Sequence, residues 1–271
     1  MLLVLPPAPE LAALVQAYWF VEDRPGAYEG LPIRTSPIPF AVLSVNMGRP
    51  NASEDGSLIP RVSLLGLQSR HRTWRSWSDT YFVMAMLTVP GIVRLFGNTG
   101  LDAAEALLEL GAVTGDALAT SLASDIDAAS APQAIATRLD RWLTARLSCT
   151  AAVPESRRIV AAHDVLRRGG SVQAAAEVAC TDRRQLHRWF RRHLGMGPKD
   201  LADLERLHAS LRSVQAGRGD PVAGFSDQAH QIRSWRRRLG VTPGAYRSTP
   251  GDRLTGSLAS SGETVGLAFY L

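Results

Sequence analysis

One pattern of residues occurs twice in the C-terminal half of the chain, at an offset of 45 positions. Each copy has an aromatic residue, a basic cluster, a glycine and a proline at the same spacing. The shared positions are Phe190, Gly195 and Pro198 in the first copy and Trp235, Gly240 and Pro243 in the second. Glycine is preferred just after a helix, and proline is tolerated in the first turn of the next one. The repeat therefore predicts two similar helical modules in tandem.

The first copy also contains the signals of two short helices joined by a tight turn. Ser171 is suited to cap the first helix, because its hydroxyl can accept from a free backbone N–H group at the helix start. Cys180 interrupts the pattern, and Asp182 can cap the second helix. On that helix Leu186 and Phe190 are spaced i, i+4 and should face the core. These features predict a helix-turn-helix.

The net charge of the chain is unevenly distributed. The whole chain carries +5, but residues 155–248 contain 18 basic and nine acidic residues, a net charge of +9. The rest of the chain therefore carries −4. A basic helical module joined to a mildly acidic one indicates a polyanion-binding domain attached to a domain with another role. Two tandem modules suit two contacts on one face of a DNA duplex, roughly 34 Å apart.

The candidate DNA-binding residues are basic side chains of the two repeated segments. They are Arg183, Arg184, His187, Arg188, Arg191, Arg192, His230, Arg233, Arg236 and Arg237. About one to three of the first four are expected to read base edges in a major groove, and the others to neutralise phosphates. The alternative for the arginines is a solvated helix face. For the two histidines it is a surface or capping role.

Three segments of the C-terminal region together match a known pattern: 176–198, 224–230 and 236–247. They resemble the DNA-binding domain of AraC/XylS-family transcription regulators over about 90 residues, including the ending Gly240 to Arg247. In that family a long linker helix, here about Lys199–Gln215, joins two helix-turn-helix units. The resemblance implies double-stranded DNA as partner, with a homodimer, a small-molecule effector and, for an activator, RNA polymerase as further candidates.

Two features depart from the family pattern. Cys180 stands in the first turn, where the family usually has glycine. Only two residues separate Pro221 from Gly224, so most of the helix that should support the second unit is missing, and Gln231 replaces an apolar residue of its recognition helix. Either this unit contributes mainly phosphate contacts or it is damaged. Its candidates for phosphate contacts are Arg233, Arg236, Arg237 and Arg238.

The N-terminal half has short β-like runs between turn residues. The predicted strands are Phe40–Val45, Val62–Leu65 and Tyr81–Leu87. This half is similar to the cupin-like domain that many such regulators carry for sensing or dimerisation, including residues 66–68 and 90–96. The predicted fold is therefore an α+β multidomain chain. It has an N-terminal cupin-like β-barrel or sandwich with flanking helices and a C-terminal all-α tandem helix-turn-helix.

Helical spacing predicts further elements around these strands. A short helix is expected over residues 10–20, and a helical region over 92–147. The residues that carry the second pattern are Leu101, Ala104, Leu107, Leu108, Ile135, Leu139, Trp142 and Leu143. With residues 149–154 as a linker, the expected domains are 1–148 and 155–248, followed by a flexible tail, 249–271.

Several function classes are excluded by the sequence. No run approaches the roughly 18–20 apolar residues of a membrane-spanning helix, so no membrane partner is expected and the cytoplasm is the expected location. Two cysteines, Cys149 and Cys180, are too few for a disulfide framework. His71 is the sole histidine of the N-terminal half, whereas a cupin metal site needs several. We therefore expect no metal, no cofactor, no catalytic residue and no enzyme activity.

Four aromatic residues of the N-terminal half are candidates for a ligand pocket. They are Trp19, Trp74, Trp77 and Tyr81. The alternative is that they simply fill the barrel. Trp189 and Trp235 are expected in the core rather than stacked on bases. Cys180 is expected as a small buried turn residue, with a redox-sensing thiol as the alternative.

The resulting hypothesis is a sequence-specific DNA-binding transcription regulator of the AraC type. Two rival hypotheses remain at this point. In one, the protein senses a ligand or dimerises, and its shortened second unit has weakened or abolished specific DNA binding. In the other, the β-rich front is an enzyme, against which the missing cluster of histidines and carboxylates argues.

Overall fold

Two antiparallel sheets form the N-terminal part of the chain in the computed structural model, which describes residues 1–97, 105–215 and 225–248. The strands are β1 (Leu2–Leu5), β2 (Val15–Asp23), β3 (Pro32–Thr35), β4 (Ala41–Asn46), β5 (Ala52–Ser53), β6 (Val62–Leu65), β7 (Arg72–Arg75), β8 (Thr80–Leu87) and β9 (Leu107–Glu109). Six of them pair in the order β1-β2-β8-β4-β6-β9, and three in the order β3-β7-β5. The predicted strands at 40–45, 62–65 and 81–87 are confirmed.

The six-stranded sheet is buried on both faces. In β2 the alternating side chains Tyr18 and Phe20 enter the core shared with the helices, whereas Ala17 and Trp19 face the cluster between the two sheets. The flanking helices are α1 (Val89–Phe96), α2 (Leu110–Thr114), α3 (Asp116–Asp125) and α4 (Pro132–Cys149). The mixed α+β fold class is thereby confirmed.

The helix predicted over residues 10–20 is wrong. Only a 3-10 turn, Pro9–Leu11, lies there, and β2 follows it. The error has a physical cause. The buried residues Leu11, Leu14, Val15 and Tyr18 are spaced i, i+3, i+4 and i+7, which imitates the apolar face of a helix. Because β2 is buried on both faces, its period of two is hidden.

Part of the expected helical region is also a strand. Leu107 and Leu108 belong to β9, where Leu108 pairs with Leu64 of β6, and the helix resumes only at Leu110. Their spacing from Leu101 and Ala104 cannot be compared, because those two residues lie outside the described residues. Farther on, the pattern is confirmed. The residues of α4 that follow it, Ile135, Leu139, Trp142 and Leu143, are all buried.

The C-terminal part contains helices alone in its described residues. They are α5 (Ser156–Arg167), α6 (Val172–Val178), α7 (Arg183–Leu194), α8 (Pro198–Gln215), α9 (Gln228–Leu239) and α10 (Pro243–Ser248). The core of α5 to α7 is continuous with that of the N-terminal part. A separate cluster joins α8 and α9 through Leu207, Leu211 and Trp235. The linker helix expected over 199–215 is α8, and the predicted tail lies outside the described residues.

Candidate DNA-binding interface

The first unit is α6 and α7, and its two predicted caps are confirmed. The Ser171 hydroxyl accepts a hydrogen bond from the backbone N–H of Ala174 at 3.1 Å. The Asp182 carboxylate accepts from the N–H of Gln185 at 2.7 Å. At its other end α7 stops at Gly195, whose φ of 66° is in the left-handed region. Both ends of α7 are therefore fixed by the residues that the sequence singled out.

One face of α7 is anchored in the core. Leu186, Phe190 and Leu194 are buried there. Trp189 is half-buried, packs against the same core, and lies under the guanidinium of Arg158, 5.8 Å from the ring centroid to its carbon. This tryptophan is therefore engaged in packing, as expected. The remaining faces of α7 are left to polar side chains.

All basic candidates of the first unit are exposed on those remaining faces. They are Arg183, Arg184, His187, Arg188, Arg191 and Arg192. Within the part of the chain that the structure describes, no carboxylate lies within 4.0 Å of any of them. Arg188 donates to the Gln185 side chain one turn earlier. The face therefore presents uncompensated positive charge on a rigid helix.

The turn between α6 and α7 has an unusual backbone at Cys180. Its φ is 49°, a left-handed conformation that glycine adopts without steric cost. This explains why glycine is usual there in the resembled family. The expectation of a buried turn residue is wrong, because Cys180 is exposed. The turn points its side chain into solvent beside the start of α7.

The second unit repeats the construction of the first around α9. The Asp227 carboxylate accepts from the N–H of His230 at 2.7 Å, and the helix stops at Gly240 with φ 75°. The repeat of 45 residues thus corresponds to two helices with the same cap at each end. The shortened segment before α9, including Asp220, Pro221 and Gly224, lies outside the described residues.

The basic candidates of the second unit differ in exposure, unlike those of the first unit, which are all exposed. Arg233 and Arg236 are exposed, and Arg237 is exposed but lies 4.0 Å from Asp203. His230 is half-buried, with its ring edge-on to Phe225 at 5.3 Å between centroids. It thus sits in the cap of α9, which was the alternative role for this histidine.

Gln231, which replaces an apolar residue of the family pattern, is a fully buried residue of α9. Its amide donates to the Ser210 hydroxyl of α8 at 2.9 Å. The same hydroxyl accepts from the indole N–H of Trp235 at 3.1 Å. Ser210 and Gln231 thus form a polar pair that takes the place of an apolar contact. Trp235 lies in the core, as expected.

The end of α9 is docked on the N-terminal domain. Arg238 is 3% exposed and donates to the backbone carbonyl of Ser69 at 3.0 Å. Its own carbonyl accepts from the N–H of His71 at 2.8 Å, and the carbonyl of Leu239 accepts from Arg34 at 3.2 Å. Burial lowers the pKa of the Arg238 guanidinium from its usual value. Arg238 therefore does not share the exposure of the other phosphate-contacting candidates.

The four aromatic residues predicted for a ligand pocket are not brought together. Trp74 lines a cavity between the two sheets. Trp19 lines a smaller one beside Phe40 and His208, at the junction with α8. Tyr81 is buried in the main core. Trp77 is half-buried, with the guanidinium carbon of Arg49 4.6 Å above its ring. Trp19 and Trp74 thus share the buried cluster between the two sheets but line different cavities, whereas Tyr81 and Trp77 lie elsewhere.

Two contacts, and the wall of one cavity apart from Trp74, were not predicted from the sequence. Arg34 and His71, which hold the end of α9, gave no signal beyond ordinary polar residues in a β-rich region. The signal for the cavity was present in β4, where Ser44 and Asn46 place polar groups in an otherwise buried strand. Alternating polar residues in a buried strand are the pattern that would have found it.

Two further properties concern the described residues as a set. Among them, no three histidine, cysteine or carboxylate side chains cluster in a way that could hold a metal ion. Within the same residues, no helix combines the length and the apolar composition that crossing a membrane requires.

Comparison with known proteins finds a family match in the C-terminal part of the chain. Residues 175–249 match a family model described as "Helix-turn-helix domain". This match spans α7 to α10 and most of α6, so it includes both repeated units. No curated protein matches the chain.

Solved structures show only distant similarity. ToxT from Vibrio cholerae is 11% identical, with 85% of this chain and 97% of that chain covered and a TM-score of 0.45. ToxT from the same species with an unsaturated fatty acid bound is 14% identical, covers 86% and 94%, and gives 0.41. The AraC-like transcriptional activator CuxR is 12% identical, covers 65% and 66%, and gives 0.25.

Proposed function

We propose that the protein is a sequence-specific DNA-binding transcription regulator of the AraC type, since residues 175–249 match a helix-turn-helix family model. The first unit, α6 and α7, is its principal reader of DNA. The protein performs no catalysis in this role. It acts where chromosomal DNA is accessible, which for a bacterial-type regulator is the cytoplasm.

The observation that carries this proposal is the exposed basic face of α7. Six basic residues project from a helix that is capped at both ends and anchored by Leu186 and Phe190. Such a helix fits the major groove, where arginine can donate two hydrogen bonds to guanine. Because no described carboxylate compensates these charges, they are available to displace counterions from phosphates.

The second unit supports this role with fewer free charges. Arg233 and Arg236 are exposed, Arg237 faces Asp203, and Arg238 is docked on the N-terminal domain. We therefore assign phosphate contacts to Arg233 and Arg236 and place base readout in the first unit. A small-molecule effector bound in the N-terminal domain is part of the proposal, since β3 and the residues just before β7 contact the end of α9.

A second candidate function is a ligand-sensing or dimerisation protein that has lost specific DNA binding. The docked end of α9 favours it, because Arg238 is removed from solvent and from any phosphate. Selection of bound sequences from a random duplex library separates the two functions. A consensus with one or two half-sites supports the regulator, and enrichment of no sequence supports the second candidate.

The direct test replaces Arg183, Arg184 and Arg188 together with alanine. Binding to the selected duplex is measured by fluorescence anisotropy over a range of salt concentrations. We expect each arginine that contacts guanine with two hydrogen bonds to account for about 1–3 kcal/mol of binding free energy. The log–log salt slope should fall by about 0.9 for each phosphate contact removed.

The matched control replaces three exposed arginines of the N-terminal domain, Arg61, Arg75 and Arg141, with alanine. It loses the same charge but should keep its DNA affinity within about twofold, since none of these residues lies on α6 to α10. Folding of both variants is verified by circular dichroism. If the α7 variant binds as tightly as the control, α7 does not read DNA.

A further inference from the structure

The last turns of α7 and α9 carry an equivalent pair of residues, His193 and Arg238, separated by the repeat offset of 45 positions. Both side chains are buried, with 2% and 3% exposure. Since a carbonyl oxygen can only accept, the ring Nδ1 of His193 donates to that of Gly97, at 2.8 Å. Arg238 donates to the carbonyl of Ser69 at 3.0 Å. The repeat therefore includes a position that docks each recognition helix on the N-terminal domain.

The end of α9 is also held through its backbone. The last carbonyls of a helix have no partner within the helix. Here the carbonyl of Arg238 accepts from the backbone N–H of His71 at 2.8 Å, and that of Leu239 accepts from Arg34 at 3.2 Å. The pairing of Arg34 with Thr73 places both donors at the same end of the small sheet. A cation at the negative end of a helix is also favoured by the helix dipole.

The two helices are attached in different ways. Leu194 of α7 belongs to the core that both halves of the chain share, and it lines a small cavity with Leu67 and Phe96 of the N-terminal domain. The buried apolar residues near the end of α9, Trp235 and Leu239, belong instead to the separate cluster with α8. The contacts that tie α9 to the N-terminal domain are the polar ones of its last turn. Single substitutions can therefore remove them without opening a cavity in a core.

The docked conformation leaves the basic face of each helix open. In both helices, exposed arginines stand two and five positions before the docked residue. They are Arg191 and Arg188 in α7 and Arg236 and Arg233 in α9. At 3.6 residues per turn, these positions lie about 160° and 140° around the helix from the docked residue. The N-terminal domain therefore contacts the side of each helix that faces away from the exposed arginines, and the attachment does not cover them.

From this arrangement we infer that the N-terminal domain, together with α8, holds α9 in place for the phosphate contacts assigned to Arg233 and Arg236. Arg34 and Arg238 are the positioning residues. A helix that is already fixed loses less conformational freedom when DNA binds, which favours binding. The docked state is thus the one that binds DNA with both units. The inference deepens the proposed function and rests on it, since it concerns the second DNA contact of the same regulator.

Two duplexes of different length measure the second contact by fluorescence anisotropy. Both contain the selected site of the first unit, and the shorter one ends before the position of the second unit, roughly 34 Å farther along. Shortening each side in turn identifies the flank concerned. We expect the natural chain to bind the longer duplex about fivefold more tightly, with a log–log salt slope steeper by about 1.8 for two phosphate contacts. Replacing Arg233 and Arg236 together with alanine should remove this preference.

Substitutions at the junction test the positioning role. Arg34→Met keeps the aliphatic stem but removes the donor to Leu239, so the preference for the longer duplex should fall below about twofold. Affinity for the shorter duplex should be retained, whereas a merely unstable variant would lose affinity for both. Arg238→Met removes the donor to Ser69 and should act in the same way. Arg34→Lys keeps a cationic donor and should restore the preference. Arg75→Met, at an exposed residue of the far end of β7, is the matched control and should keep it.

An unchanged preference for the longer duplex in the folded Arg34→Met and Arg238→Met variants overturns the inference and leaves the proposed function standing. Tighter binding of the longer duplex by these variants would make the contact inhibitory and overturns it as well. Absence of any selected site for the natural chain overturns the proposed function itself. Amide hydrogen exchange without DNA gives an independent measurement. We expect faster exchange at the end of α9 in Arg34→Met with α7 unchanged, and equal exchange in the natural chain and the variant contradicts the attachment.

Discussion

The left-handed backbone at Cys180 (φ 49°) shows how one side chain can strain the turn that positions α7. A residue with a Cβ in this conformation costs roughly 1–2 kcal/mol relative to the right-handed one. Glycine avoids that cost but loses about 0.5–1 kcal/mol through the greater freedom of its unfolded chain. The Cys180 side chain is exposed, and its thiol makes a long contact of 4.0 Å with the carbonyl oxygen of Val178, so its removal loses little burial.

We therefore expect Cys180→Gly to stabilise the protein by about 0.5–1 kcal/mol. The measurement is urea denaturation followed by circular dichroism. Cys180→Ala is the matched control, because it also removes the thiol but keeps a Cβ at positive φ. An equal gain from alanine would show that the thiol, rather than the backbone conformation, was the source of the strain.

The pairing of α8 and α9 explains how a polar residue is accommodated in the second unit. Ser210 accepts from both Gln231 and Trp235, and all three are buried. A buried donor that loses its acceptor pays the full cost of its desolvation. The Ser210 hydroxyl therefore stabilises both buried donors, the Gln231 amide and the Trp235 indole.

Replacing Ser210 with alanine should destabilise the α8–α9 pair by about 2–4 kcal/mol, since two buried donors lose a partner. Amide hydrogen exchange, read by mass spectrometry, is suited to this change because it reports each helix separately. We expect faster exchange in α9 with little change in α7. Ser213→Ala, at a half-buried position of the same helix, serves as control, and equal effects of the two variants would contradict this role of Ser210.

Among the elements, those with local signals were predictable and those defined by distant contacts were not. Ser171, Asp182 and Gly195 act within one turn of chain, so the sequence locates the start of α6 and both ends of α7, and Gly240, the copy of Gly195, locates the end of α9. The helix prediction for residues 11–18 was wrong because burial on both faces of β2 gives the apolar residues a helical spacing. The strand Leu107–Glu109 was predicted as helix because its strand conformation depends on pairing with β6, more than 40 residues earlier.

For the molecule as a whole, the two halves share one core and several polar contacts. His193 on α7 bonds through its ring to the carbonyl of Gly97, at 2.8 Å. His71 and Arg238, separated by 167 residues, join the end of α9 to the small sheet. No local sequence pattern encodes such distant pairs. The sequence therefore predicted the two helix-turn-helix units but not their contacts with the N-terminal part. The two helix-turn-helix units are thus each attached to the N-terminal part, through His193 of α7 and Arg238 of α9.

His208 on α8 makes this junction sensitive to pH. Its ring meets Phe40 of the N-terminal domain edge-on, at 5.8 Å between centroids. Burial, with a smaller contribution from Arg212, lowers its pKa from 6.5 to about 4. In the unfolded chain His208 is therefore protonated as the pH falls through 6.5, whereas in the folded chain it is protonated only near pH 4. The stability that depends on neutral His208 is complete above pH 6.5 and is lost as the pH falls toward 4.

We expect this loss to reach about 2 kcal/mol at pH 5, which corresponds to a fall of about 4–8 °C in the thermal midpoint. Differential scanning calorimetry at pH 7 and pH 5 measures it, and His208→Gln isolates it from the other titrating groups. The variant cannot take up the proton, so its midpoint should fall less between the two pH values than that of the natural chain. If both fall equally, His208 is not the proton acceptor, and the junction between Phe40 and α8 does not sense pH through this ring.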